Sequence, residues 1–313
     1  MSELVNNYAN AQFAFVDGCL TECEDICREI LANDERFAGA WNLMSRMAAL
    51  NGDFETAGDF ASVACELEPQ NAEFTLGLGE VFLLRKEVES AEQAARRALE
   101  LEPESVKGLV LLGRVLAEKG EQGNALGAFE KALRLKKDDA EAISHCALAL
   151  QKFGRGKDAI SQIRKACSLE PESVEHQTNF ASILEQNKRY VDALAAYGKA
   201  ARMNPDVGYI WFRQGKLLNG LKRYAEAIPI LEKAVALPGQ LGEFYYELGL
   251  AFHMSKRFPE ALALYEKALA NGFNSAALQC NRGVIFKELR RGGDSIMAFH
   301  TAVKMDPSNV SYL

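Results

Sequence analysis

The sequence predicts an all-α solenoid of antiparallel helix pairs, and three observations predict it. A period of 34 residues runs from Leu4 to Asn309 in nine blocks, with no insertion or deletion. Three columns of those blocks stay small: the eighth (Ala11, Ser45, Gly79 and on to Gly283), the twentieth (Cys23, Ala57, Ala91 and on to Ser295) and the twenty-seventh, which is alanine everywhere except Ile30. Between these columns, apolar residues recur at three- and four-residue spacing in two runs per block, separated by turn residues. A fixed period of this length means one helical unit stacked repeatedly, each copy burying its apolar face against its neighbours.

The block from Ala38 to Asn71 shows how each element is read. Trp41, Met44 and Ala48 recur at helical spacing and make the first helix, A. Asn51-Gly52-Asp53 breaks it, because Gly and Asn suit a tight turn. Ala57, Ala61 and Ala64 mark the second helix, B, and Glu68-Pro69 ends it, since proline cannot continue a helix. Each helix spans about 13 residues, or about 20 Å. The remaining blocks repeat the pattern: 4–37, 72–105, 106–139, 140–173, 174–207, 208–241, 242–275 and 276–309. Residues 310–313 read as the opening of a further helix A, so a truncated chain is expected.

The small columns have a packing cause. Two antiparallel helices approach closely only where neither carries bulk, so positions 8 and 20 make the crossing of A and B. Large residues fill the space around it: Trp41 and Trp211 at position 4, Leu78 and Leu112 at position 7, Phe129, Tyr197 and Tyr265 at position 24. Pro229 falls inside a helix B and predicts a local kink; Pro259 falls near a helix start, where proline is tolerated.

These residues carry a resemblance. Trp or Tyr at position 4, Leu-Gly at positions 7 and 8, the alanines at 20 and 27, the aromatic at 24 and the proline at 32 resemble the tetratricopeptide repeat family, over 306 of the 313 residues. Pentatricopeptide repeats, the RNA-reading relatives with a slightly longer unit, would slip the register by about eight positions over the array, and no slip is seen. The resemblance implies a right-handed superhelix with helices A on its concave face. It also implies an extended peptide or a partner helix held there by positions 2, 5, 9, 12 and 13.

Composition narrows the function classes. A net charge of −7 and a pI of about 5.4 argue against a nucleic-acid partner, because phosphate backbones demand clustered Lys and Arg. No apolar run reaches membrane-spanning length, and the N-terminus does not read as a secretory signal. Seven cysteines, an odd number widely spread, read as reduced thiols in the cytoplasm. Cys19, Cys23 and Cys27 share a helical stripe but fall in packing columns, so no metal site is expected; Cys280 reads as the most exposed thiol. The four histidines lack partners at nucleophile or metal spacing, and the glycines sit in packing and turn columns. Neither a cofactor nor catalysis is expected of this chain.

The stripe at positions 2, 5, 9, 12 and 13 then yields the candidate site. In blocks seven and eight it mixes aromatic and polar residues, the composition of interface hot spots: Tyr209, Phe212, Lys216, Asn219, Tyr246, Leu250, His253 and Met254. A secondary groove in the first three blocks contains Tyr8, Phe15, Arg46, Leu76 and Leu83, residues that either bind a partner or simply pack. The clamp by which chaperone-binding members hold a C-terminal carboxylate is not expected, as no three successive helices A match it. The expected function is a non-catalytic scaffold binding a protein or peptide. A recognition arm of a larger enzyme, such as a glycosyl- or sulfotransferase, and a self-assembling scaffold joined through its terminal blocks are the alternatives.

Overall fold

The computed structural model describes residues 2–239 and 241–308, and in them all regular structure is helical. The chain forms two compact units, Met1–Leu169 and Glu170–Leu313. In unit 1 the helices are α1 (Ser2–Val16), α2 (Leu20–Asn33), α3 (Ala38–Leu50), α4 (Phe54–Leu67), α5 (Ala72–Leu84), α6 (Val88–Leu101), α7 (Val106–Glu118), α8 (Gln122–Leu135), α9 (Ala140–Lys152) and α10 (Gly156–Leu169). In unit 2 they are α11 (Val174–Gln186), α12 (Tyr190–Met203), α13 (Gly208–Gly220), α14 (Tyr224–Ala236), α15 (Gly242–Met254), α16 (Phe258–Ala270), α17 (Ala276–Glu288) and α18 (Gly292–Met305). The expected start of a further helix at 310–313 lies outside the described residues.

Within each unit every odd-numbered helix (A) packs on the even-numbered helix (B) that follows it, and successive helices A also touch, as in α1–α3–α5–α7–α9 and α13–α15–α17. The close crossing is visible at Gly113, where a Cβ would stand 2.5 Å from the Phe129 ring. Phe129, Tyr197 and Tyr265, the position-24 aromatics, are fully buried. Pro229 is accommodated inside α14, and Pro259 occupies the first turn of α16.

Local signals set the helix ends. Asn71, Ser105, Asp139, Ser173 and Ser275 accept backbone N–H bonds at the starts of α5, α7, α9, α11 and α17, satisfying donors that a helix N-terminus leaves open. The A-to-B turn needs one residue with positive φ. Glycine supplies it at Gly52, Gly120 and Gly154, but Lys86, Lys188, Lys222, Lys256 and Arg290 adopt it at 57–61°. Two tryptophans repeat one anchor: Trp41 donates Nε1–H to the Glu35 carbonyl at 2.8 Å, and Trp211 to the Pro205 carbonyl at 2.9 Å.

Candidate functional site

The stripe on helices A divides by depth. Positions 2 and 13 are mostly open to solvent and position 9 is exposed or half-buried, whereas position 5 is mostly covered: Asn42, Leu76, Val110, Ser144 and Phe212 are all buried. The cause is the contact between successive helices A, which closes over a side chain that helical geometry alone would aim into the groove.

Four of the expected site residues are therefore packing residues. Phe212 is only 3% exposed and stacks on Phe244 of α15 at 4.3 Å. His253 is buried, edge-on to Tyr265 and Phe258, and burial holds its imidazole below the ordinary range. Asn219 is buried and donates Nδ2–H to both the carbonyl oxygen and the Oε2 of Glu247, at 2.8 and 2.9 Å. Leu76, from the secondary groove, lies in the core between α5, α6 and α7. His176 is also buried, with Nε2 3.1 Å from Glu170.

The others stay accessible. Tyr209 is 48% exposed and accepts a bond from Arg213 Nη1 at 3.1 Å. Lys216 is exposed and donates to Glu243 at 2.6 Å. Tyr246 and Leu250 are half-buried, and Met254 is exposed. Tyr209 and Met254 stand at opposite ends of their helices, eleven block positions apart, or about 16 Å along the helix axis. The structure thus spreads the accessible residues across the width of α13 and α15 instead of gathering them at one point. In unit 1, Tyr8, Phe15 and Leu83 are half-buried and Arg46 is exposed, its guanidinium 4.3 Å from the Phe15 ring centroid.

Beneath the open positions of unit 2 runs a polar seam that joins the stripe to a column outside it. Position 12 of one helix A meets position 6 of the next. Glu185 accepts from Arg213 Nη2 at 3.0 Å and from the Tyr197 hydroxyl at 2.9 Å, and Asn219 holds Glu247. The Tyr265 hydroxyl lies 3.4 Å from His253 Nδ1, and Asn281 donates to the Tyr246 hydroxyl at 3.5 Å. Burial pushes the Tyr197 and Tyr265 hydroxyls up, so both stay protonated. Burial also pushes the Glu247 carboxyl up, against the opposing pull of Asn219 and Lys216. For Arg213, burial opposes the charge, but Tyr197, Tyr209 and Glu185 outweigh it and raise its affinity for the proton. The signal was visible in the columns. Position 6 reads Ala9, Leu43, Gly77, Leu111 and His145 in unit 1 but Asn179, Arg213, Glu247 and Asn281 in unit 2.

The buried thiols are packing residues. Cys23 and Cys27 are buried, and burial pushes Cys27 up to about 12, far from a reactive thiolate; Cys146 is pushed up to about 11. Cys19, not Cys280, is the exposed thiol, because position 5 on α17 is partly covered. Among the described residues no cluster of three or more His, Cys, Asp or Glu could hold a metal ion, and no helix is long and apolar enough to cross a membrane.

The tetratricopeptide repeat sequence model matches residues 64–105, 87–140, 147–206, 189–241 and 242–276, together more than half of the chain. The chain belongs to the tetratricopeptide repeat family. Solved structures agree on the fold. The hetero-tetramer Cut9–Hcn1 of the APC/C is similar at 15% identity and a TM-score of 0.67, over 93% of this chain and 57% of that one. Pseudomonas aeruginosa pilF is similar at 19% identity and 0.60, over 66% and 94%. A tetratricopeptide repeat protein of Parabacteroides merdae is similar at 17% identity and 0.56, over 80% and 98%. No curated protein matches the sequence. Tetratricopeptide repeat proteins generally mediate protein–protein interactions.

Proposed function

We propose that this protein is a non-catalytic scaffold in the cytoplasm whose α13–α15 surface binds a peptide or a segment of a partner protein. One observation carries the reading: Tyr209 stands open to solvent while the Arg213 guanidinium fixes its hydroxyl from below. An aromatic held in place before binding costs little entropy on association, and exposed aromatics beside hydrogen-bonding groups are enriched at interface hot spots. Lys216 and Glu243 offer a charged pair one turn or more away, and Leu250 and Met254 offer apolar area at the far edge. Phe212, Asn219 and His253 act as the support beneath these groups and not as anchors. The compartment is supported by seven cysteines, none of them in a disulfide.

Site-specific photo-crosslinking tests the reading. A photoreactive phenylalanine at Tyr209 or Met254 is expected to trap the same partner, and one at exposed Lys199 on α12 is expected to trap none. Tyr209→Ala should then weaken binding of that partner at least tenfold with unchanged helicity by circular dichroism. Equal trapping at all three positions overturns the assignment.

A further inference from the structure

The turns that join helices A to helices B differ between the two units. In unit 1 the turn residue with positive φ is Gly18, Gly52, Gly120 and Gly154, with Lys86 the exception. In unit 2 it is Lys188, Lys222, Lys256 and Arg290, at 57–61°. The next residue, the N-cap of helix B, is Arg189, Arg223, Arg257 and Arg291, and none of them caps its helix through the side chain. In unit 1 Asp53 does cap α4. Local folding explains neither choice. Glycine takes the left-handed conformation without strain, and Ser, Asp or Asn suits the cap. A cation at the end of helix A gains from the helix field, but by less than the left-handed strain it carries. Four consecutive turns therefore hold cations where folding alone favours other residues.

Half of these charges are left over. Each N-cap arginine holds the carboxylate three residues on, Asp192, Glu226, Glu260 or Asp294, with Nε–O distances of 2.7–3.0 Å. Lys188, Lys222, Lys256 and Arg290 are exposed and make no ion pair or side-chain hydrogen bond among the described residues. Helices α13, α15 and α17 touch in turn, so the free cations that follow them stand about 8–10 Å apart along one edge of unit 2. Apolar side chains lie among them: Val191 is 78% exposed, Leu289 38% and Tyr190 36%. The whole unit leans the same way. Residues 170–313 hold 17 Lys and Arg against 15 Asp and Glu, whereas residues 1–169 hold 19 against 28, so the acidity of the chain belongs to unit 1.

The makeup of the edge selects among anionic partners. A nucleic-acid duplex carries a charge about every 1.7 Å, far denser than one free cation per 8–10 Å, and its backbone gives Val191 and Leu289 nothing to meet. An acidic peptide answers the cations alone. A bilayer with anionic headgroups takes both kinds of group, since cations settle among the phosphates while apolar side chains enter the interfacial layer. We infer that the A-to-B turn edge of unit 2 docks on an anionic bilayer surface, with the free cations on the headgroups and Val191, Tyr190 and Leu289 in the interface. Each such cation strengthens partitioning about fivefold, so four give on the order of several hundredfold.

Flotation of the full chain with vesicles of phosphatidylcholine containing about 30% phosphatidylserine, in about 0.1 M salt, tests the inference, with pure phosphatidylcholine vesicles as the control. The anionic vesicles should carry at least tenfold more protein. Lys188→Gly, Lys222→Gly, Lys256→Gly and Arg290→Gly together should remove that difference while raising the urea midpoint of unit 2, because glycine relieves the turns; the loss is then not a loss of fold. Val191→Ser with Leu289→Ser changes no charge and should weaken flotation at least threefold, with helicity unchanged by circular dichroism. Lys107, Lys131, Lys157 and Arg164, exposed cations of unit 1, can be changed to Gln together, and flotation should stay as it was. Equal flotation with neutral vesicles, an equal loss in the unit 1 variant, or no effect of the two serine substitutions overturns the inference. Single-stranded DNA or polyglutamate that binds the chain more tightly than the vesicles do, and is released by the glycine variant, overturns it too, by assigning the edge to a linear polyanion.

Discussion

Asn219→Leu is the sharpest test of the polar seam. The Asn219 amide spends both N–H groups on Glu247, at 2.8 and 2.9 Å, and its Oδ1 is buried without a partner. Leucine removes both bonds. The Glu247 carbonyl keeps its place in the α15 ladder, so its loss is mild, about 1 kcal/mol; the buried carboxyl loses its donor, about 1–2 kcal/mol more. The single substitution should cost about 2–3 kcal/mol. Glu247→Leu should cost less, because removing a buried acid offsets the unpaired Asn219 N–H. The double variant should return close to wild type, since apolar pairs already occupy these columns in unit 1, as Leu83 with Leu111. The coupling energy is therefore about 3 kcal/mol.

The assay must read unit 2 alone, as a two-unit chain need not unfold in one step. The chain has two tryptophans, Trp41 in unit 1 and Trp211 on α13. In a Trp41→Phe background, urea unfolding followed by Trp211 fluorescence reports the cycle where it matters. A double variant that loses the sum of the two single losses refutes the pairing of positions 12 and 6 as the device that joins successive helices A.

Three further outcomes are expected. Gly113→Ala should destabilise unit 1 by about 1–2 kcal/mol despite the better helix propensity of alanine, because the added Cβ meets Phe129 at 2.5 Å; Trp41 fluorescence during urea unfolding reads it, and Phe129→Leu in the same chain should recover most of the loss. Lys222→Gly should stabilise unit 2 by about 0.5–1 kcal/mol, read as a higher urea midpoint, since φ of 60° strains a residue with a Cβ and not glycine. The stability of unit 2 should also pass through a minimum between two titrations on α15. Glu247 has a raised pKa, so the folded chain binds the extra proton and stability is lost as pH rises above about 4.3 through the raised value; His253 has a lowered pKa, so stability is lost as pH falls below about 6.5 through the lowered value. Glu247→Gln should flatten the first limb and His253→Gln the second, in Trp211-monitored midpoints across that range.

The helix pairs were legible because their cause is one-dimensional. A small column at 8, 20 and 27 marks where two helices cross, and no tertiary knowledge is needed to see it. The site was legible only in part. Helical periodicity tells which side of α13 Phe212 faces, but not that α15 stands there to receive it at 4.3 Å. The same omission moved Asn219, His253 and Leu76 from surface to interior. Arg213 and Glu247 escaped notice for the converse reason: position 6 lies outside the stripe, yet the neighbouring helix A turns it into the partner of position 12. Reading columns in pairs across adjacent blocks, and asking where both switch from apolar to polar, would have found the seam.

That switch has a consequence for how the α13–α15 surface takes a partner. On α13–α15 the accessible cations already hold carboxylates, Arg213 with Glu185 and Lys216 with Glu243. A charged partner there must share or displace a bond that exists, so its net gain comes from Tyr209, Leu250 and Met254 and its charges act mainly as a filter against wrong partners.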